Sequence, residues 1–543
     1  GRASIDYNVS KSSDQTTLTL ATRAIYDQYY STDQSWSQDV NMDLMLNFNK
    51  RYHDFNIIAN GGISRYQPKS EGLSAKTVGG FTIPGLAILR NSAQNITASE
   101  SYSTQRLNSV LGNASIGFRD YVFVELTGRN DWSSTLPKDS WSYFYPSVSM
   151  SGIFSEMFEL PEAISFLKGR ASWARVGSAT SPYQLKNEYS IGAIPNYGTE
   201  ATPNSSFPIT NLKPQMMEST EGGIEMRMFD NRLGLDVTYY DAQTTNQILS
   251  VQTALSSGYK NALINAGKVV SKGWEITLTG TPVQTKNWEW TTTLNWGKNK
   301  SECVELVEGV NYKDMGSTRN VYVRCMPGHQ FGEIVGDAYS RDENGSKLIG
   351  DNGMPIKDPL KIVGNISPDW TGSFMSSLKW KSFNLRALVD IKSGGDFLSF
   401  TDVYACYAGT SAKTLNRENG IVVDGIVKST GVVNTTNVAL QDYYTNICGS
   451  NGYYPLAEEF MRDASFVKMR QLSLSYSLPK KLYLNLPVNQ IKLSVVGSNL
   501  FYFWKAADVN PEGSYSTNDE GQAFEYCSLP PTRSFGFSVN VNF

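Results

Sequence analysis

The sequence predicts an all-β protein, a transmembrane antiparallel β-barrel. Three observations predict it. Segments of period-2 alternation recur along nearly the whole chain, the connections between them are short and long in turn, and no uncharged apolar run approaches a membrane-spanning helix. A spanning helix needs roughly 20 such residues, whereas a barrel strand needs only about 10, apolar on the lipid side.

The alternation is clearest at the end of the chain. Phe535, Phe537, Val539, Val541 and Phe543 fall on one side of a ribbon, and Ser534, Gly536, Ser538, Asn540 and Asn542 fall on the other. Successive side chains of a strand point to opposite faces, so one face is apolar and the other small and polar. The same pattern marks about seventeen strands, at 2–9, 15–27, 38–49, 53–66, 106–118, 120–130, 143–156, 167–177, 217–229, 231–245, 265–280, 287–300, 367–379, 382–393, 464–477, 489–503 and 532–543. In 265–280, Trp274, Ile276 and Leu278 alternate with Glu275, Thr277 and Thr279. In 382–393, Phe383, Leu385, Ala387, Val389 and Ile391 alternate with Asn384, Arg386, Asp390 and Lys392. In 464–477, Leu472, Leu474 and Tyr476 alternate with Gln471, Ser473, Ser475 and Ser477.

The connections at about 10–14, 50–52, 119, 157–166, 230, 281–286, 380–381 and 478–488 are short. Those at about 28–37, 67–105, 131–142, 178–216, 246–264, 301–366, 394–463 and 504–531 are long. Short periplasmic turns and long extracellular loops are the asymmetry of an outer-membrane barrel. A soluble sandwich or propeller has no reason to keep it. With Phe543 at the periplasmic end, parity requires 301–366 to stay outside or to cross an even number of times, which argues against the apolar stretch Phe331–Ala338 as a single crossing.

The formal charge of −3 and pI of about 5.7 give no electrostatic case for nucleic acid. Mean hydropathy is −0.33. The 30 Tyr, 24 Phe and 11 Trp suit aromatic girdles, and would also suit a glycan-binding protein. No linker or charge block divides residues 1–543, so a single large barrel portion is expected. The chain opens Gly1-Arg2-Ala3-Ser4-Ile5 with neither a basic n-region nor an apolar h-region, so an export signal is expected upstream.

Several segments resemble the SusC/RagA family of TonB-dependent outer-membrane transporters. Tyr143 to Met150 with Ile153 to Glu156 (YFYPSVSM, IFSE), Leu167 to Gly177 (LKGRASWARVG), and Gly273 to Glu275 with Thr281-Pro282 and Trp288 to Lys300 are similar to family strands and turns. Phe466 to Pro479 (FVKMRQLSLSYSLP) is the most specific match, completed by Gly497-Ser498-Asn499-Leu500 and Pro531 to Phe535. The resemblance runs from about residue 100 onward. It implies a 22-stranded barrel, a number found in plugged transporters, with the plug and first strands lying upstream. An incomplete barrel leaves two open edges, so the remainder is expected as another chain or separate segment.

The resemblance also implies active import of an oligomeric nutrient, glycan or peptide, under a SusD-like surface lipoprotein that closes as a lid. Energy comes through TonB-ExbB-ExbD acting on the upstream part, and transporter–lid pairs are expected to dimerise. No enzyme chemistry is implied. Phe543 stands where family members carry the terminal aromatic assembly signal. The alternatives are a passive porin or secretion pore, and a surface-tethered all-β glycan-binding protein.

The remaining chemistry is sparse. The only histidines, His53 and His329, lie away from metal-ligand spacing, so no metal or cofactor is expected. His53 beside a turn reads as a solvated interfacial residue. Asp342-Glu343-Asn344-Gly345 and Asp351-Asn352-Gly353 look like parts of a calcium loop but lack the distal Glu, and plain turns are the preferred reading. The five cysteines, Cys303, Cys325, Cys406, Cys448 and Cys527, all fall in expected outer loops. Cys303 with Cys325 and Cys406 with Cys448 each lie within one loop, leaving loop disulfides or buried thiols open. Tyr404, Tyr407, Tyr453 and Tyr454, in the largest loop, stack on sugars or peptide side chains or pack the loop against a partner, the second being preferred. Arg386, Asp390 and Lys392 are candidates for the lumen wall.

Overall fold

A computed structural model describes all residues except 17–27, 187–188, 195–197, 204–205, 208–210, 253–255, 257, 260, 450–451, 485–486, 517 and 543. The chain forms two compact units. One holds Gly1–Met150, Ser172–Glu218 and Thr245–Ala266, and the other holds Ser151–Ala171, Ser219–Thr244 and Gly267–Phe543.

In the first unit, β1 (Arg2–Gln15) pairs antiparallel with β2 (Tyr30–Tyr52), and β2 with β3 (Phe55–Lys76). The late half of β3 pairs with β4 (Thr97–Thr104) and its early half with β5 (Leu107–Phe118). β6 (Val122–Ser133) pairs with β5, and β7 (Ser142–Ile153) follows in the chain. The hairpin of β2 and β3 runs in unbroken register from Ser31↔Lys76 to Tyr52↔Phe55, where His53 takes a left-handed φ of 52°. At 23 and 22 residues these strands are about twice the 9–11 residues a membrane requires. Met42, Leu44, Leu46 and Phe48 are exposed on one face. Asp43, on the other, accepts a hydrogen bond from Ser64 Oγ at 2.6 Å. One end of the hairpin thus carries the lipid belt, and the other continues past it.

This corrects the sequence reading in one region. Residues 10–14, expected as a turn, lie inside β1, and most of the expected strand 15–27 falls outside the described residues. Much of the expected loops 28–37 and 67–105 is strand, belonging to β2, β3 and β4. The cause is physical: beyond the lipid a strand need not be apolar on either face, so its period-2 signal fades.

Three further wall strands, β8 (Ile164–Ser178), β9 (Gln215–Met228) and β10 (Leu233–Thr245), precede β11 (Lys268–Gln284) and β12 (Trp288–Glu305). The connection after β12 forms a four-stranded sheet, β13 (Lys313–Thr318), β14 (Val321–Cys325), β15 (Glu333–Tyr339) and β16 (Lys357–Asn365). Phe331–Ala338 falls largely in β15, so the parity argument against a crossing there holds. The wall resumes with β17 (Trp370–Trp380) and β18 (Phe383–Ser393). The next connection carries α1 (Phe400–Tyr407), α2 (Leu440–Cys448) and α3 (Ala457–Phe460). β19 (Phe466–Ser477), β20 (Gln490–Lys505) and β21 (Ser534–Asn542) complete the wall. Counting β4 and β5 as one, the described residues hold sixteen wall strands.

Two features of the second unit mark its place in a bilayer. Trp290, Leu378, Leu385, Leu474, Val495 and Phe537 are opposed from strand to strand, an apolar row across β12, β17, β18, β19, β20 and β21. Toward the short turns, Trp288 lies 5.7 Å from Trp380, Trp380 6.0 Å from Phe383, and Phe383 4.6 Å from Tyr476. That aromatic band is an interfacial girdle. Replacing Leu474 by Arg is expected to destabilise the protein by about 1–2 kcal/mol, because a charge on a barrel's lipid face costs about 2–4 kcal/mol at mid-depth and less toward the girdle, which lies two residues away at Tyr476. The urea midpoint of the full protein in lipid vesicles measures it, and Ser473→Arg on the polar face is the control.

The second unit's main apolar core lies in its long connections rather than its wall. Val321, Val323, Ile334, Leu398, Phe400, Ile447, Leu456 and Phe460 are fully or almost fully buried in one cluster. The connections after β12, β18 and β20 all contribute, the last through Phe524. Long loops of polar composition thus fold as a small packed body.

Candidate functional site: an inner-wall cleft, a charge latch and a packed outer-loop body

In the first unit, alternation along β7 sends Phe144, Val148 and Met150 to the exposed apolar face, and Tyr143 and Tyr145 to the other. Tyr143 and Tyr145 stack with ring centroids 5.9 Å apart. Tyr145 donates its phenol proton to Asp131, whose side chain is 4% exposed. Arg129 donates from Nε to Asp131 Oδ1 at 2.7 Å and from Nη2 to Ser109 Oγ at 2.9 Å. These groups line an open cleft of about 740 Å³ with Asp39, Tyr66, Lys69, Ser103 and Thr104 among others. Its other charges are also engaged. Tyr66 donates to Asp39 at 3.3 Å, and Lys69 lies 2.5 Å from Glu71, which also accepts from Trp36 Nε1 at 2.6 Å.

In the second unit the lumen candidates separate. Arg386 is exposed and lines a second cleft of about 440 Å³ with Glu289, Lys379, Asn384 and Lys492. Asp390 belongs to a different group, accepting from Arg470 Nε at 2.5 Å. Arg470 also donates to Glu512 and, at 3.0 Å, to Asn499 Oδ1. Lys468, only 2% exposed, donates to the other oxygen of Glu512, as does Tyr502 at 2.8 Å. Burial pushes the Glu512 carboxyl up, but Arg470, Lys468 and Tyr502 outweigh it and hold the group below the usual carboxylate range. Glu512 sits in the long connection between β20 and β21, so the cluster ties that loop to three wall strands. Lys392 is half-buried at the outer end of β18.

The cluster depends on a break in strand phase. Leu472 and Leu474 are exposed on the lipid face, and simple alternation would send Arg470 and Lys468 there too. The register between β18 and β19 shifts between Leu388↔Gln471 and Val389↔Met469, leaving Arg470 as an extra residue. On β20 the pairing skips from Ser498 to Phe501, and Asn499 has a φ of 54°. A bulge re-aims side chains, and here it turns both cations toward Glu512. Sequence reasoning passed over Lys468, Arg470 and Glu512. The available signal was two cations in step with a lipid stripe.

The outer-loop tyrosines divide. Tyr404 packs against the core, its hydroxyl 3.0 Å from that of Tyr526. The Arg319 guanidinium lies 3.8 Å from the ring centre of Tyr453 and 5.5 Å from those of Tyr404 and Tyr526. Tyr453 and Tyr454 are more than half exposed, and the Tyr454 carbonyl accepts from Lys357 Nζ at 3.1 Å. Tyr407 is partly exposed at the end of α1.

All five cysteines are thiols. The two pairs named from loop membership are brought together. Cys303 and Cys325 are buried in one cluster, and Cys406 and Cys448 share the main core. Mild oxidation of the folded protein is expected to join Cys303 to Cys325 first. Peptide mass mapping that finds Cys406–Cys448 formed first contradicts this. Asp342 accepts from the backbone N–H groups of Asn344 at 2.9 Å and Ser346 at 2.8 Å, the hydrogen bonding of a turn. Among the described residues no cluster of His, Cys, Asp and Glu has the arrangement of a metal site. Phe543 lies outside the described residues.

A wall with an apolar exposed face, a polar opposite face, an aromatic girdle and alternating connection lengths defines an outer-membrane β-barrel. A sequence profile described as TonB dependent receptor-like, beta-barrel, matches residues 2–500, and the chain belongs to that family. It is 23% identical over 563 residues to TonB-dependent receptor P3 of Formosa agariphila, covering 95% of this chain and 53% of that protein. To TonB-dependent receptor SusC of Bacteroides thetaiotaomicron it is 22% identical over 410 residues, covering 69% of this chain and 38% of the other. The fold matches the structure of the RagAB peptide transporter with a TM-score of 0.76 at 16% identity, over 100% of this chain and 59% of that one. The chain thus spans about half the length of the curated relatives. It is a protein of the outer membrane, similar in sequence to SusC and in fold to the RagAB structure.

Proposed function

We propose that this chain is the greater part of the transport wall of an importer, which carries an oligomeric nutrient, glycan or peptide, across the outer membrane with energy delivered through TonB, ExbB and ExbD. The observation that carries this reading is the wall itself, with a polar inner face, charged groups satisfied within it, and a packed body of loops at one end. The relatives are receptors and transporters by name, which supports a role without covalent chemistry. A SusD-like lipoprotein is the proposed lid, and the apolar side chains of Val422, Val432 and Val433, exposed on the outer connections, suit it as a seat. Tyr453 and Tyr454 stand with them as candidate contacts. Arg386 and Asp390 remain candidates for the cargo path, the second as a group that positions Arg470. Dimers of transporter–lid pairs are part of the same proposal.

Among the described residues, β1 pairs only with β2, and β21 only with β20. Strand edges within lipid must be paired, so these edges are read as the lines along which the plug-bearing remainder of the barrel joins. Phe543 is proposed as the assembly signal, and its deletion is expected to lower the amount of folded protein in the outer membrane.

The deciding experiment is nutrient uptake by cells with and without TonB, both carrying this transporter. Import is expected to stop without TonB. A passive porin continues to conduct, and that result ends the proposal. A protein released from membranes without detergent contradicts the barrel reading as a whole.

A further inference from the structure

We propose that the free edge of β4 receives an extended peptide as an added strand, so that the cargo of this wall is a polypeptide held chiefly by its main chain; this rests on the importer reading above. β4 pairs with β3 and, among the described residues, with no other strand. It is an edge inside the wall's own sequence, distinct from the edges of β1 and β21. It lies opposite the late half of β3, past the lipid belt.

The direction of its hydrogen bonds is fixed by two observations. Gln105 N donates toward β3, to Pro68 O at 3.3 Å. Thr104 N points the other way and donates to the phenol of Tyr183 at 3.2 Å. Directions alternate along an antiparallel strand, so Tyr102, Glu100 and Ala98 turn their N–H and C=O groups to the free side. Residues Thr97–Tyr102 are exposed throughout. The edge has no Pro, no Lys and no bulge in its register with β3, which are the usual devices that keep strand edges from pairing. Tyr183 already places an acceptor on the lowest rung.

The surroundings favour a peptide recognised by its backbone. Ser103, Thr104 and Gln105 pass into the cleft of about 740 Å³. Its charges are engaged internally, as Arg129 with Asp131, Lys69 with Glu71, and Asp39 with Tyr66. Among the described residues the cleft therefore leaves no unengaged charge to select a cargo side chain. The edge offers what a polypeptide matches, donors and acceptors repeating along a strand that rises about 3.4 Å per residue. Strand addition of this kind draws affinity from main-chain hydrogen bonds and tolerates varied side chains.

The test uses the full transporter purified from membranes, with a fluorescein-labelled, end-capped octapeptide of Ser and Thr as the probe. Its twin carries N-methyl groups on alternate residues, which deletes main-chain donors and leaves the side chains. Tyr102→Pro removes one outward donor and spares the rungs that Ser101 and Ser103 make with β3. Tyr102→Ala keeps that donor and controls for the ring. Anisotropy is expected to show about tenfold weaker binding for the N-methyl twin and for Tyr102→Pro, with Tyr102→Ala close to the parent. Heat-modifiable migration confirms that each variant is folded. Equal binding of the twin, parental binding by Tyr102→Pro, or retention of a neutral heptasaccharide with no retention of the peptide overturns the proposal. Peptide uptake that persists without TonB, with edge-dependent binding intact, overturns the importer reading and leaves this one standing.

Discussion

Replacing Phe400 by Ala is expected to destabilise the outer-loop body by about 3–5 kcal/mol, the range for removing a buried aromatic ring. Phe400 is 0% exposed and sits where three connections meet. Its ring centre is 4.9 Å from that of Tyr526 and 6.4 Å from that of Phe524, both in the connection between β20 and β21. The lost ring leaves a cavity among Leu398, Val403 and Phe460, which close packing on all sides keeps from collapsing. Limited proteolysis on intact cells reads the effect. Cleavage between residues 400 and 460 is expected to accelerate by more than a hundredfold if opening is in rapid equilibrium, since about 1.4 kcal/mol is a factor of ten. The wall strands are expected to keep their heat-resistant migration, because the row through Leu385 and Leu474 is untouched. Cleavage at the parental rate shows that the loops do not depend on this core.

The second large effect is expected at Glu512. Glu512→Ala leaves Lys468 buried at 2% exposure without its carboxylate. Breaking a buried pair by removing one partner costs about 3–5 kcal/mol, because the remaining charge stays desolvated. Arg470 keeps Asp390 and is less affected. The loop between β20 and β21 is then expected to detach from the wall, giving faster amide exchange over 506–516 while the wall strands keep their protection. Lys468→Met with Glu512→Leu removes both charges and is expected to recover most of the loss. Parental exchange in Glu512→Ala shows that the cluster does not hold the loop. The same group sets a pH dependence. Its folded carboxyl is held below the ordinary glutamate value of 4.5, so its contribution is fully present above that value and is lost as pH falls through the lower folded one. At neutral pH the loop is expected to stay bound, with release confined to strongly acid conditions.

How much of this was legible in the sequence depends on where water is. Between lipid and lumen the two faces of a strand differ, and strands such as β18 and β21 announce themselves through Leu385 and Phe537. Outside the lipid both faces are wet, so the outer halves of β2 and β3 gave no alternation and read as loops. The packed outer body was invisible for another reason. Its buried residues come from connections far apart in the chain, with Ile334, Phe400, Ile447 and Phe524 meeting only in space. Asp390 was legible as a lumen residue, but its partner Arg470 was not, because period-2 counting assigns the opposite face across a bulge. The clusters holding Cys303 with Cys325 and Cys406 with Cys448 followed from loop membership alone.

The bulge at Arg470 divides β19 into stretches that are read in different frames, with even residues such as Leu472 and Leu474 exposed below it and the even Lys468 buried above it, whereas on β20 Val495, Phe501 and Phe503 keep to one face across Asn499. A one-residue deletion at the bulge of β19 therefore acts as a frameshift in space. It carries Lys468 out toward lipid while leaving the composition of the strand almost unchanged. The converse constraint falls on the regular strands, where any change of length within the membrane has to come in twos. Insertions that preserve the protein should thus be odd-numbered only at bulges and of any size only in loops, a rule of descent set by the pleat.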